Sequence, residues 1–230
     1  ISLPVRMPTM TAPLAQDPDE RFDVVTPEGE PTGIVKRRAD VHRDGDWHRA
    51  LHVWVYGCDA QGPYLLLNQR GRHKDTWPLA LDVTVGGHLA AGESVEQAYR
   101  EVEEEIGIRV NPEALDHIGR RRRESGGNFP GIIDREIEDI FLLRDDRPLD
   151  EFRPNPAELE GLVRIALDDA MLLFAGDMHS VPGTFLRASN GAIEDIQIDQ
   201  ALLIPTDDAY YLRVVQAIAA IMQGVTNAHL

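Results

Sequence analysis

The chain has 230 residues, with 23 Lys and Arg against 39 Asp and Glu, a formal net charge of −16. Hydrophobic residues at 43% and charged residues at 27% describe an ordinary folded chain long enough to bury one sizeable core. The negative balance argues against nucleic acid as a partner, because general nucleic-acid binding relies on basic patches. Cys58 is the single cysteine, which excludes an intrachain disulfide and a cysteine-based zinc site and suits a reducing cytoplasm. No run approaches the roughly 18 apolar residues of a membrane helix, so no membrane partner is expected. The stretch around Arg6 lacks the apolar core of a signal peptide.

Residues 1–20 are rich in Pro, Thr and Ala without periodicity and read as a disordered arm. Residues 22–25 and 33–36 flank a turn-rich segment at 27–31 and predict a hairpin. Residues 37–42 predict a short helix. Over residues 50–56, Leu51, Val53 and Val55 alternate with His52, Trp54 and Tyr56, a strand with two distinct faces. Residues 64–69 predict a second strand, and Thr84 to Gly87 ends another extended segment. The strongest helix signal covers residues 94–106. Ser94 and Gln97 fit a capping box, Val95, Ala98, Val102 and Ile106 form an apolar stripe, and Gly107 stops the helix. Residues 133–144 and 162–165 read as strands and 167–175 as a helix. Residues 176–200 read as loop-rich with a hairpin near Asn190, and 207–223 as an amphipathic helix capped by Thr206 or Asp207. Interleaved helices, strands and hairpins imply a mixed sheet between helices.

Within the acidic helix, Glu101, Glu104 and Glu105 are three and four positions apart, so their carboxylates share one face. Like charges so placed repel by roughly a few tenths of a kcal/mol per pair, and a hard divalent cation would offset that. Mg²⁺ prefers oxygen ligands and commonly joins one or two carboxylates to substrate phosphates. Glu103 points about 100° off that face. A glycine loop before the helix, a glycine stop after it and Arg100 just ahead of Glu101 distinguish this run from a merely acidic surface helix.

The segment resembles the Nudix box: Gly, five residues, Glu, seven residues, Arg-Glu, an apolar residue, any residue, Glu-Glu, any residue, Gly, apolar. Gly87, Glu93, Arg100, Glu101, Val102, Glu104, Glu105, Gly107 and Ile108 match in type, but six residues rather than seven separate Glu93 from Arg100. The capping signal at Ser94 places the missing residue near the helix start, displacing Glu93 and leaving the three later carboxylates in register. The flanks, over about residues 20–165, are similar to type I isopentenyl-diphosphate isomerases and the Nudix proteins related to them. They include Asp40-Val41-His42, His48-Arg49-Ala50, Lys74-Asp75-Thr76-Trp77-Pro78 and Val85-Gly86-Gly87-His88. In the isomerases two early histidines, one after the glycine loop and two strand glutamates hold a metal, and here His42, His48, His88, Glu136 and Glu138 occupy similar places. The isomerases carry a catalytic cysteine where this chain has Gly86, and they have largely lost the acidic helix that this chain keeps. Both differences point from isomerase toward hydrolase.

The resemblance implies an α/β fold, an α/β/α sandwich with a mixed sheet. The Nudix domain would span residues 21–175. A C-terminal extension, 176–230, would carry a terminal helix that packs on it and either closes the pocket or pairs two copies into a homodimer. It implies hydrolysis of a diphosphate linkage in a small molecule with Mg²⁺ or Mn²⁺. The metal ligands would be Glu101, Glu104 and Glu105. Arg100 would orient a helix glutamate, and Glu136 or Glu138 would serve as general base. Arg70, Lys74 and His88 would bind substrate, since a diphosphate needs fixed positive charge. The basic run Arg120 to Arg123 reads as a solvated strand edge, and Trp54 and Trp77 as core or pocket wall. An isopentenyl-diphosphate isomerase-like enzyme and a catalytically idle Nudix-fold binding protein are the alternatives. Nucleoside phosphates, dinucleotides, sugar nucleotides and coenzyme A all remain open as substrates.

Overall fold

The computed structural model describes residue 17 and residues 19–126, 129–225 and 229–230. The arm expected over residues 1–20 lies almost entirely outside the described residues, as do two residues of the glycine-rich loop after the basic run. A hairpin opens the described chain: β1 (Arg21–Val25) pairs antiparallel with β2 (Pro31–Arg37), and Gly29 supplies the positive φ of the turn. Helix α1 (Arg38–Asp44) follows and ends on Gly45 in the left-handed region.

The organising element is β3 (Trp47–Asp59). Along one edge it runs parallel to β8 (Ile133–Arg144), in register from Trp47↔Arg135 to Tyr56↔Arg144. Along the other it pairs antiparallel in succession with β1, with β6 (Val85–His88) and with β4 (Gly62–Arg70). The sheet is therefore mixed. It continues from β4 to the short β5 (Leu81–Asp82) and to β9 (Leu159–Ala166), and beyond β8 to β7 (Leu115–Gly126).

Both faces of β3 are buried. Leu51, Val53 and Val55 pack with Val102 and Ile106 on one side. Trp54 and Tyr56 pack on the other with Leu167, Ala170 and Leu173 of α4 (Leu167–Ala175) and with Val214 and Ile218 of α5 (Tyr210–Met222). Each fully buried large apolar side chain contributes about 1.5–3 kcal/mol, so the alternation read along β3 marks two cores rather than one core and one wet face. The result is the α/β/α sandwich that the sequence implied. Among the described residues no helix is long and apolar enough to cross a membrane.

Three local expectations need correction. The acidic helix is two helices, α2 (Val95–Ala98) and α3 (Arg100–Ile106), interrupted at Tyr99 inside the short spacer. The capping box at Ser94 is complete, so the irregularity sits after the helix start rather than at it. The segment expected to be loop-rich is largely strand: the hairpin expected near Asn190 is there, and its arms β10 (Ser180–Arg187) and β11 (Ile193–Asp199) extend the sheet beyond β9. α5 begins at Tyr210 behind Ala209 at φ +52, with no side-chain cap from Thr206 or Asp207. β7 carries the basic run as a 12-residue strand paired along β8.

Candidate active site

Glu101, Glu104 and Glu105 all line one cavity of about 390 Å³. Helical spacing puts them on one face of α3, and Gly87 lets β6 approach that face. A Cβ on Gly87 would lie 2.7 Å from the Cγ and Cδ of Glu101. Arg100 gathers the carboxylates: its Nε donates to Glu93 at 2.9 Å and its Nη1 to Glu101 and Glu104 at 2.7 and 2.8 Å. Glu93 is thus held in the cluster rather than displaced, and it also accepts from the Ala90 backbone N–H. Burial pushes the Glu101 carboxyl up to about 7 against the pull of Arg100, with Glu104 and Glu158 adding repulsion. Burial raises Glu105 well above the usual carboxylate range despite Lys74, and its Oε2 is buried without a hydrogen-bond partner. An orphaned buried carboxylate oxygen beside two more carboxyls fits a cation.

The same cavity holds a second cation-ready group. One ligand atom each from His42, His48, His88 and Asp134 lies within 4.8 Å of the others. The Nε2 atoms of His42 and His48 and Oδ1 of Asp134 are buried with no hydrogen-bond partner, while His88 Nε2 faces Glu136. His48 is set for ligation: its Nδ1 faces the Asp46 carbonyl at 3.2 Å, an acceptor, so Nδ1 carries the proton and Nε2 its lone pair. His88 is differently placed, since Arg38 donates to its Nδ1 at 3.1 Å. That leaves the His88 proton on Nε2, 3.2 Å from Glu136, so ligation through Nε2 requires Arg38 to let go. Burial and the neighbouring His48 and Arg38 lower His42 to about 3, and burial with Arg38 lowers His88 to about 3. Burial, with Glu136 beside it, raises Asp134 to about 8. Although burial opposes it, the His88 ring and the Arg123 guanidinium hold Glu136 well below the usual carboxylate range.

The carboxylates that meet the histidines are therefore Asp134 and Glu136, not Glu136 and Glu138. All three alternate onto one face of β8, but Glu138 is fully buried, does not line the cavity, and is held by Arg121 at 2.9 Å. It is poorly placed to serve as a base. Extending the alternation two residues toward the start of β8 was the signal that could have found Asp134.

Arg70 and Lys74 line the cavity as expected. Arg70 pairs with Asp82 at 3.2 Å and also donates to the Thr76 carbonyl, and Lys74 pairs with Glu158 at 3.1 Å. Both cations are therefore already paired with carboxylates. His88 stands in the histidine group on the same cavity. Sequence reasoning missed Arg38, which is 8% exposed, lines the cavity and has no carboxylate partner among the described ion pairs. It also set aside Arg123, which lines the cavity and pairs with Glu136 at 3.1 Å. The basic run is a solvated edge only in part: Arg120 and Arg122 are exposed on the edge strand β7, whereas Arg121 and Arg123 point inward to Glu138 and Glu136. Glu158 had no signal, being one acid in a proline-rich loop. Trp77 is a cavity-wall residue, at φ +47 and edge-to-face with Phe129 at 5.3 Å.

Comparison with known proteins agrees with this geometry. The NUDIX domain matches residues 47–187, more than half of the chain. Over 126 residues the chain is 42% identical to Nudix hydrolase 3 of Arabidopsis thaliana, covering 54% of this chain and 16% of that protein. It is 35% identical over 134 residues to an uncharacterised Nudix hydrolase of Clostridium acetobutylicum, covering 58% of this chain and 64% of that one. It is also 32% identical over 143 residues to an isopentenyl-diphosphate Δ-isomerase of Saccharopolyspora erythraea, covering 62% and 70%. The chain thus spans well under the full length of the two hydrolases it resembles. The matched segment includes β3, the glycine loop, α3 and β8, which supply most of the cavity lining, and the chain belongs to the Nudix family.

Proposed function

We propose that the chain hydrolyses a diphosphate linkage in a small polar molecule, with nucleoside diphosphate derivatives as the leading substrate class. The observation that carries this reading is the cavity around Glu105, where a buried, unpartnered carboxyl oxygen stands beside Glu101 and Glu104 and opposite Arg70 and Lys74. Glu101, Glu104 and Glu105 would hold Mg²⁺ or Mn²⁺, and His42, His48, His88 and Asp134 a cation that tolerates imidazole, such as Mn²⁺. Bound there, divalent cations supply charge neutralisation at the diphosphate and a more acidic water.

The chain's own groups do the rest. Arg70 and Lys74 exchange their carboxylate partners for phosphate oxygens, and the guanidinium fork of Arg70 fixes the diphosphate in two directions. Arg38 and Arg123 add further positive charge to the cavity lining. Arg100 orients Glu101 and Glu104. A cavity carboxylate that the cation leaves free would take the proton from the attacking water. Attack at phosphorus breaks the P–O bond and yields two phosphate-terminated products.

An isomerase reading is favoured by the histidine group, but Gly86 offers no titratable atom to an alkene. The test is turnover of a panel with Mg²⁺ and separately Mn²⁺: nucleoside diphosphates and triphosphates, ADP-ribose, NADH, coenzyme A and isopentenyl diphosphate. Metal-dependent cleavage lost in Glu105→Gln supports the hydrolase. Double-bond migration in isopentenyl diphosphate without cleavage overturns it in favour of the isomerase. Cation binding with no turnover at all leaves a binding protein.

A further inference from the structure

α5 lies beyond the family-matched segment, yet its first residues reach the cavity wall. The Tyr210 hydroxyl is buried between two side chains of β3. It accepts from Trp54 Nε1 at 2.8 Å and lies 2.9 Å from His52 Nδ1. Arg121 stacks over the Tyr210 ring at 4.2 Å and is itself held by Asp208 just ahead of α5. Tyr211 donates to Asp82, the carboxylate that pairs with Arg70.

The hydroxyl fixes the His52 tautomer. Trp54 N–H can only donate, so it occupies a lone pair of the Tyr210 oxygen, and the hydroxyl hydrogen must go elsewhere. Among the described residues, His52 Nδ1 is the acceptor within hydrogen-bond reach. Glu138, at 3.7 Å from that nitrogen, is too far to take a proton from it. Nδ1 therefore accepts, and Nε2 carries the hydrogen. His52 and Gly86 both line the cavity, and a Cβ on Gly86 would meet Val83 Cγ1 at 3.2 Å and His52 Nε2 at 3.7 Å, so this nitrogen stands at the cavity wall beside Gly86.

We propose that His52 is a substrate-binding residue, presenting one N–H donor to an oxygen or nitrogen acceptor on the group attached to the diphosphate. Tyr210 is the positioning residue that sets this tautomer from α5. The inference rests on the diphosphate reading for the nature of the ligand and deepens it: the subsite beside Gly86 takes a polar moiety such as a nucleoside, rather than an alkenyl chain.

Two measurements on the full chain test it, neither needing turnover. In ¹⁵N-histidine-labelled protein, long-range ¹H–¹⁵N correlations should show the Nε2–H tautomer for His52, and Tyr210→Phe should produce a mixture of tautomers. Wild type as Nδ1–H, or a Tyr210→Phe variant with an unchanged pattern, overturns the positioning role. Calorimetry with Ca²⁺ as the cation then compares ADP with inorganic pyrophosphate, which lacks the attached group. Wild type should bind ADP more tightly. His52→Leu should weaken ADP about tenfold, the scale of one lost hydrogen bond, and leave pyrophosphate unchanged. His52→Gln, which keeps an N–H donor, should recover most of the loss. Equal binding of the two probes by wild type, equal weakening of both by His52→Leu, or no rescue by glutamine overturns the contact. Failure of the hydrolase reading would show separately, as no cleavage of any diphosphate with Mg²⁺ or Mn²⁺.

Discussion

Asp134→Asn isolates the cation chemistry of the histidine group. Burial and Glu136 hold the Asp134 carboxyl at about 8, whereas His42 and His88 lie near 3. From pH 6 to 8 the histidines are already neutral, and the cation must displace one proton, from Asp134. Apparent affinity is then proportional to the ionised fraction and should rise about 50-fold between pH 6 and 8. Asparagine has the same shape and no proton to lose, so the slope should vanish. Affinity at pH 8 should fall by at least ~100-fold, since even outer-shell partners of metal ligands cost 10–100-fold. At about 100 times the wild-type Kd, Mn²⁺ should stabilise wild type by about 2.7 kcal/mol, roughly 5–10 °C in Tm, and the variant by about 0.4 kcal/mol, roughly 1 °C. Without cation the sign reverses. A raised carboxyl favours the folded state while protonated, and that contribution is lost progressively as pH rises from about 4, the unfolded value, to about 8, so the variant should become the more stable protein across that range. Calorimetric titration with Mn²⁺ across the range, with thermal melts alongside, reads both effects. A wild-type affinity flat from pH 6 to 8, or a variant that keeps the wild-type slope, refutes the assignment.

Glu105→Gln should lower turnover at least ~100-fold while leaving metal-free stability equal or higher, because burial disfavours the charged carboxyl that glutamine replaces; urea titration beside activity separates the two. Gly87→Ala should cost about 1–3 kcal/mol by overpacking, because the new methyl meets Glu101 at 2.7 Å, and should weaken Mg²⁺ binding as that carboxyl is pushed aside. A variant with wild-type Mg²⁺ affinity would show that the close approach is unnecessary. Leu79 stands at φ +64 and is 45% exposed, so Leu79→Gly should raise stability by about 0.5–1 kcal/mol, the left-handed strain removed less the entropy of glycine. A lower Tm would mean that the leucine packs more usefully than its exposure implies.

Much of the site was legible because its signals are local. The face shared by Glu101, Glu104 and Glu105 follows from helical period alone, and the break at Tyr99 leaves α3 intact beneath them. The capping box at Ser94, the stop at Gly107 and the two-faced alternation of β3 are likewise properties of a few adjacent residues. The errors fall where partners are distant. Asp134, Glu136 and Glu138 alternate identically, and which two meet the histidines is set by the parallel register that puts His48 opposite Glu136. The basic run is indistinguishable from a wet edge until β8 places Glu138 and Glu136 opposite Arg121 and Arg123. Pro182 and Gly183 make β10 read as loop, yet pairing with β9 and β11 overrides that preference.

The sequence by itself determined the helix faces, the strand alternation, the acidic helix with its glycine loop, and through them the Nudix domain. Only the tertiary structure decided that Asp134 joins three histidines, that Arg38 and Arg123 face the cavity, and that Tyr210 reaches His52 from a helix 158 positions away. The division has one physical origin. Period and capping depend on neighbours a turn apart, while strand register and helix docking depend on pairings whose entropy is recovered only when the whole core closes.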